Sequence, residues 1–131
     1  MRTDNSTNRT STPDTPSDLA RRGEDLACGL LADAGLLVTD RNWRCGAGEI
    51  DIVARAPGIL VICEVKTRRD HAFGTPSAAV TDDKLKRLLR LAGAYLAAHP
   101  PGSPVTVRFD VVEVTWPRGA RPTANHRTRV L

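Results

Sequence analysis

The residues with most chemical content lie in the segment GEIDIVARAPGILVICEVKTRRD, residues 48–70. Glu49, Asp51, Glu64 and Lys66 interrupt two runs of β-branched and apolar residues, and a Pro57-Gly58 pair separates the runs. Side chains alternate between faces along a strand. Glu49 therefore shares a face with Asp51, Glu64 shares one with Lys66, and Ile50 and Ile52 take the opposite face. A loop of two or four residues centred on Pro57-Gly58 sets Asp51 across from Glu64 and Glu49 across from Lys66. A three-residue loop without a bulge puts the two pairs on opposite faces. Pro then Gly suits a type II turn, which splays a tight hairpin, so the four-residue loop is favoured. Carboxylates set opposite one another repel and require a proton or a cation between them. A divalent metal is the economical answer, because Mg²⁺ takes oxygen ligands and is often held by one or two carboxylates plus phosphate and water. Lys66 supplies a compact positive charge to orient water or to stabilise a phosphate in transition. Metal, activated water and a cation beside a developing oxyanion are the parts of metal-assisted phosphodiester hydrolysis. The competing reading is an edge hairpin whose solvated face carries a Glu–Lys ion pair and no chemistry.

The elements that must position these groups can be read from periodicity. A first helix starts at Ser17 or Asp18, both good N-caps, and stops before Gly35; Leu19, Leu26, Ala27, Leu30, Leu31 and Ala34 form its apolar face, with Glu24 at the edge. Strands follow at 36–44, 48–55 and 59–66. A second helix starts from Thr81 as N-cap, with Asp82 and Asp83 in its first turn. Leu85, Leu88, Leu89, Ala92, Tyr95 and Leu96 form its apolar stripe, and Lys86, Arg87 and Arg90 its solvated side. A last strand covers 104–115, with Val105, Val107, Phe109 and Val111 on one face. Short links imply an antiparallel meander of the first three strands, and the intervening helix allows a parallel crossover to the fourth. The fold class is α/β: a mixed sheet flanked by helices, in the order αβββαβ.

Composition bounds the rest. Residues 1–18 are rich in Thr, Ser, Asn and Pro, with Met1 their only large apolar residue, and are expected to be a disordered tail. Residues 117–131 are poor in core formers and carry four arginines, which reads as a basic, flexible tail adding weak, salt-sensitive DNA affinity. The folded unit is then 19–116. Neither a signal peptide nor a membrane-length apolar run is visible, so a cytoplasmic location is expected. Cys28, Cys45 and Cys63 are odd in number and form no C-x-x-C pair, which favours reduced thiols over zinc ligands. Net charge is +4 with few aromatics, which suits a phosphate-backbone partner better than base stacking. Arg68, Arg69 and Lys84 flank the hairpin and are candidate phosphate contacts. Asp110 reads as a structural ion pair, and Trp43 and Trp116 as packing residues.

The D…E-x-K hairpin resembles the PD-(D/E)xK nuclease superfamily, whose common core has the same element order. More closely, the chain resembles the YraN family of small bacterial candidate endonucleases, related in fold to Holliday-junction resolvases. The resemblance covers roughly residues 20–115. It rests on GEDLA (23–27), DRNWR with GEIDIVA (40–54), ICEVKTRRDHAFGTP (62–76), V-T-x-x-K (80–84) and RFDVV (108–112). It implies a restriction-endonuclease-like core with Asp51 and Glu64 as metal ligands, Lys66 as the catalytic lysine, and Glu24 as the acid a first helix presents beside the metal. Glu49 joins them as a ligand or as a partner for Lys66. Ile50 stands where the superfamily name has proline. The implied activity is Mg²⁺- or Mn²⁺-dependent endonucleolytic hydrolysis of DNA, branched DNA included, and a homodimer is implied by the symmetric substrate of resolvases. The alternatives are a non-catalytic nucleic-acid-binding module that keeps the fold, and a protein-interaction adaptor.

Overall fold

The computed structural model describes residues 15–70 and 81–130 of the chain. The elements are α1 (Pro16–Asp33), β1 (Leu37–Cys45), β2 (Gly48–Ala56), β3 (Ile59–Arg68), α2 (Asp82–Ala98), β4 (Thr106–Thr115) and β5 (Thr123–Val130). They form one five-stranded sheet in the order β1-β2-β3-β4-β5. β1, β2 and β3 are an antiparallel meander, and β3 pairs with β4 in parallel across the α2 connection. The αβββαβ order is therefore present, with one further strand.

Each helix covers one face of the sheet. Ala27 and Leu31 of α1 pack with Ile52, Ala54, Val61, Cys63, Val112 and Val114. Leu88, Leu91, Ala92 and Tyr95 of α2 pack with Ile50, Val53, Leu60, Ile62 and Phe109 on the other side. Burying two such apolar faces is the main force closing the fold. The helix stripes differ in detail from the sequence expectation. Leu89 is exposed and Leu91 buried, because the residues that face the sheet are 88, 91, 92 and 95, the i, i+3, i+4, i+7 set. Thr81 caps α2, accepting from Lys84 N–H at 3.2 Å. Thr15, rather than Ser17 or Asp18, caps α1: its hydroxyl accepts from Asp18 N–H at 3.0 Å, and Pro16 opens the helix. Residues 16–18 of the expected N-terminal tail are thus helical, and residues 1–14 lie outside the described residues.

The turn between β2 and β3 has two residues, not the favoured four. Ala56 pairs with Ile59, and Gly58 has φ 72°. Both lengths keep the same register, so Ile52 still faces Cys63. Strand pairing on the other side holds the tight turn: the Gly58 carbonyl accepts from Thr106 N–H at 2.8 Å.

The basic tail expected over 117–131 is largely a strand. β5 pairs with β4 from Thr115↔Thr123 to Arg108↔Val130. It has no apolar alternation to announce it. Its stability comes from the backbone ladder and from one buried anchor. Asp110, fully buried, accepts from Arg108 Nε and Nη2 at 2.8 Å each and lies 2.8 Å from His126 Nε2 of β5. Polar and charged side chains along such an edge also oppose edge-to-edge pairing with another sheet.

α1 approaches β3 very closely at Gly23. A Cβ there would lie 2.0 Å from Thr67 Oγ1. Gly23→Ala is expected to cost about 1–3 kcal/mol through overpacking, despite alanine's better helix propensity. Urea unfolding measures this, with Thr67→Ala expected to recover part of the loss; equal stability of Gly23→Ala and wild type would refute the close approach. Asp110→Ala strands a partly exposed guanidinium and releases the β5 anchor, with an expected loss of about 3 kcal/mol. His126→Ala is expected to leave the rest of the fold intact while raising amide exchange across Thr123–Val130.

Candidate functional site

The candidate residues meet where β2 and β3 part. The two strands pair from the turn as far as Ile52↔Cys63 and no further. Beyond that point β2 stays with β1 as far as Cys45↔Gly48, while β3 stays with β4 as far as Arg68↔Thr115. A gap opens between them, with Asp51 and Glu64 as the first residues on either side.

β2 does not keep strict alternation at this point. Ile52 packs on the α1 side and Ile50 on the α2 side, so the expectation that they share a face is corrected. The cause lies in β1. Asn42, between the partners of Ile52 and Ile50, has φ 53°, a left-handed conformation within the strand. This twist sends Arg41 toward α1 and Trp43 toward α2. Asp51 is the residue caught at the reversal. Its Oδ2 accepts from Val65 N–H at 2.8 Å. A strand N–H points along the sheet, so the Asp51 carboxylate sits in the gap rather than on one face.

Carboxylates then reach Asp51 from both faces. Glu24 comes from α1, and Glu64 and Glu49 from the strands. Burial pushes the Asp51 carboxyl above its ordinary range; the Val65 hydrogen bond works against this, and the charges of Glu24, Glu64 and Glu49 add to it. On the α2 side Glu49, Asp51 and Glu64 line a cavity of about 230 Å³ closed by Arg87, Leu88 and Leu91. The acids gather at a gap in the sheet, not on a single face as the simple hairpin predicts.

The three glutamates each face a cation. Glu24 Oε1 accepts from Asn42 Nδ2 at 3.2 Å and lies 3.6 Å from Arg41 Nη2. Arg41 also pairs with Asp25 at 2.8 Å. Glu49 lies 3.6 Å from Arg44 Nε, so its partner is Arg44 and not Lys66. Glu64 Oε1 lies 3.2 Å from Lys84 Nζ, at an angle that makes no hydrogen bond, and that oxygen is buried without one. Lys84, expected as a phosphate contact, therefore sits on the acidic site itself.

Lys66 lies one strand-period beyond Glu64. It makes no ion pair among the described residues, and it lines a separate cavity with Glu113 and Asn125. Arg68 lines the same cavity, and Arg69 Nη1 donates to the Trp116 carbonyl at 3.4 Å. Trp43 packs edge-on against Tyr95, and Trp116 is buried against α1-side residues, as packing roles require. All three cysteines are free thiols; burial pushes those of Cys28 and Cys63 up, away from reactive thiolate.

Two residues at these cavities were not singled out as site residues by the sequence. Arg87 reads as solvated helix surface, yet it borders the buried stripe one position before Leu88. Glu113 stands three residues beyond Asp110 and carries a second buried oxygen, Oε1, without a hydrogen bond. Its adjacency to Lys66 follows from the β3–β4 register, which sequence spacing does not supply.

Among the described residues, no group of three His, Cys, Asp or Glu side chains is arranged to hold a metal ion. The donor types are those a hard divalent cation takes: three glutamates act electrostatically on Asp51, and one Glu64 oxygen is buried without a hydrogen bond. No helix among the described residues is long and apolar enough to cross a membrane.

Comparison with known proteins agrees with the motifs. The family model described as "Uncharacterised protein family UPF0102" matches residues 23–114, which include Glu24, the whole hairpin and all but the last residue of β4. A UPF0102 protein of Kineococcus radiotolerans is 55% identical over 104 residues, covering 79% of this chain and 85% of that protein. One from Streptomyces griseus is 55% identical over 108 residues, covering 82% and 91%. Another from Nocardia farcinica is 46% identical over 113 residues, covering 86% and 88%. By that match and these identities, the chain belongs to the UPF0102 family, the YraN family.

Proposed function

We propose that this protein is a metal-dependent endonuclease that hydrolyses DNA phosphodiester bonds, branched DNA among its substrates. The observation that carries the reading is the gathering of Glu24, Glu49 and Glu64 around a half-buried Asp51, a repulsion that folding would not retain without use. Asp51, Glu64 and Glu49 would hold Mg²⁺ or Mn²⁺, with Glu24 adjacent. Bound there, the ion would supply Lewis-acid stabilisation of a phosphate oxygen and a more acidic water. The residues of the chain do the rest. Asp51 is fixed by the Val65 N–H, so its second oxygen is oriented without a side-chain search. Lys66 follows Glu64 on the same face and offers its ammonium to the negative charge that builds on the phosphate. Lys84, Arg87 and Arg44 neutralise the acids before substrate arrives and offer contacts to the incoming backbone. In the reaction a water oxygen forms a bond to phosphorus, the bond to the leaving oxygen breaks, and the water proton passes to solvent or to a neighbouring carboxylate. No enzyme-bound covalent species is needed.

The test is purified protein on branched, flapped, duplex and single-stranded DNA with Mg²⁺ or Mn²⁺. Asp51→Ala, Glu64→Ala and Lys66→Ala are each expected to lose on the order of a hundredfold or more in cleavage rate. Equal cleavage by all variants would mark a contaminant, and salt-dependent binding without turnover would assign the non-catalytic module instead.

A second test does not need turnover. The Asp51 carboxyl is raised above its unfolded value, so ionisation favours the unfolded chain. That penalty is absent below the ordinary Asp range and is complete once pH has risen through the raised folded-state value. Asp51→Asn is therefore expected to unfold at higher temperature than wild type at pH 7, with the gain vanishing below about pH 4. Mg²⁺ or Mn²⁺ is expected to raise the wild-type midpoint and to leave that of Asp51→Asn nearly unchanged. A wild-type midpoint indifferent to both ions would remove the metal from the proposal.

A further inference from the structure

A second cavity, of about 110 Å³, opens where β3, β4 and β5 run on together, lined by Lys66, Arg68, Glu113, Thr115, Thr123 and Asn125. The register places Lys66, Glu113 and Asn125 side by side across three strands, and Arg68, Thr115 and Thr123 beside them. These are not the residues of the acidic gap, but Lys66 joins the two places, because Glu64 stands two positions before it on the same face.

We propose that this cavity holds a backbone phosphate of the bound DNA strand, so that β5 is part of the nucleic-acid surface. The proposal rests on the DNA-directed reading above. Three observations carry it. First, the lining is that of an oxyanion site: two cations from β3, hydroxyls on Thr115 and Thr123, and the Asn125 amide. Lys66 has no ion pair among the described residues, so its charge is available. Second, the cavity is small. Pockets that enclose a drug-sized molecule run to about 300 Å³ or more, whereas this one suits a phosphate-sized group. Third, the balance of charge is positive. Among the described residues Glu113 is the single carboxylate of the lining, and Arg127 of β5 approaches it, Nε to Oε1, at 3.9 Å. Lys66 is the neighbour of Glu113 in the β3–β4 register without forming an ion pair with it, so the Glu113 charge is answered by Arg127 and the β3 cations stay available. Alternate residues on β3 are about 6.6 Å apart, so Glu64, Lys66 and Arg68 form a row along which successive phosphates of one strand can lie.

The experiment uses the full chain and labelled branched and duplex DNA, with EDTA present, following fluorescence anisotropy over a range of NaCl concentrations. Asn125 and Thr123 are exposed residues of β5. Asn125→Lys is expected to tighten binding severalfold and to steepen the log–log salt dependence by about 0.9, one further phosphate contact. Asn125→Asp and the double variant Thr123→Val/Asn125→Leu are expected to weaken binding about tenfold while unfolding at the same urea concentration as wild type. Unchanged affinity and salt slope in all three variants would overturn the proposal, whether or not the wild type cleaves DNA. Binding that responds to the β5 variants in a protein that never cleaves would uphold the cavity and sink the nuclease reading. Absence of DNA binding by wild type at low salt would sink both.

Discussion

The hydrogen bond from Val65 N–H to Asp51 Oδ2 replaces a rung of the sheet. Where β2 and β3 stop pairing, a backbone donor would be left without a strand partner, and a buried unpaired donor is costly. A carboxylate takes the place of the missing carbonyl. This solves the backbone's problem and creates an electrostatic one, because the acceptor now carries charge inside a half-buried gap. Every neighbouring feature is a response to that charge or an addition to it. The gap lets Asp51 be approached from two faces, which a continuous sheet would forbid, and so a glutamate from α1 and one from β3 can address the same point.

The cations around the site follow from the same constraint. Arg41, Arg44 and Lys84 come from β1 and from the first turn of α2, and each lies against one glutamate. Surface pairs of this kind are worth little individually. Their effect here is to lower the local repulsion in the absence of any other cation while remaining partly exposed and displaceable. A site built this way tolerates its own charge without being locked.

The amino-acid pattern carried the register but not the faces. Any even loop around Pro57-Gly58 gives the same pairing, so Asp51 and Glu64 are legible as neighbours although the turn has two residues and not four. The reversal between Ile50 and Ile52 was not legible, since it depends on one asparagine in β1 adopting a left-handed conformation, and asparagine in a strand does not announce that. β5 was invisible for a different reason: TANHRTRV has no apolar alternation, and its anchor is His126 on a buried Asp110 that lies 16 residues earlier. Glu24 could be placed at the edge of the α1 stripe by helical spacing alone. Arg87 and Glu113 could not be assigned, because both meet the site through contacts between elements rather than through position within one.

The place of Glu24 shows how packing and chemistry are tied together. Its neighbour Gly23 has no Cβ, and Thr67 occupies the space a Cβ would take. α1 therefore lies closer to β3 than an ordinary side chain would allow. A glutamate side chain has limited reach, and the Glu24 carboxylate must cross from the helix to the gap in the sheet to act on Asp51. A Cβ at position 23 would collide with Thr67, so either that side chain or the helix carrying Glu24 must shift. The glycine costs helix propensity, and the close packing of α1 on β3 at Thr67 outweighs that cost. The same close approach that requires the glycine brings the first helix, and Glu24 with it, near enough for its charge to act on Asp51.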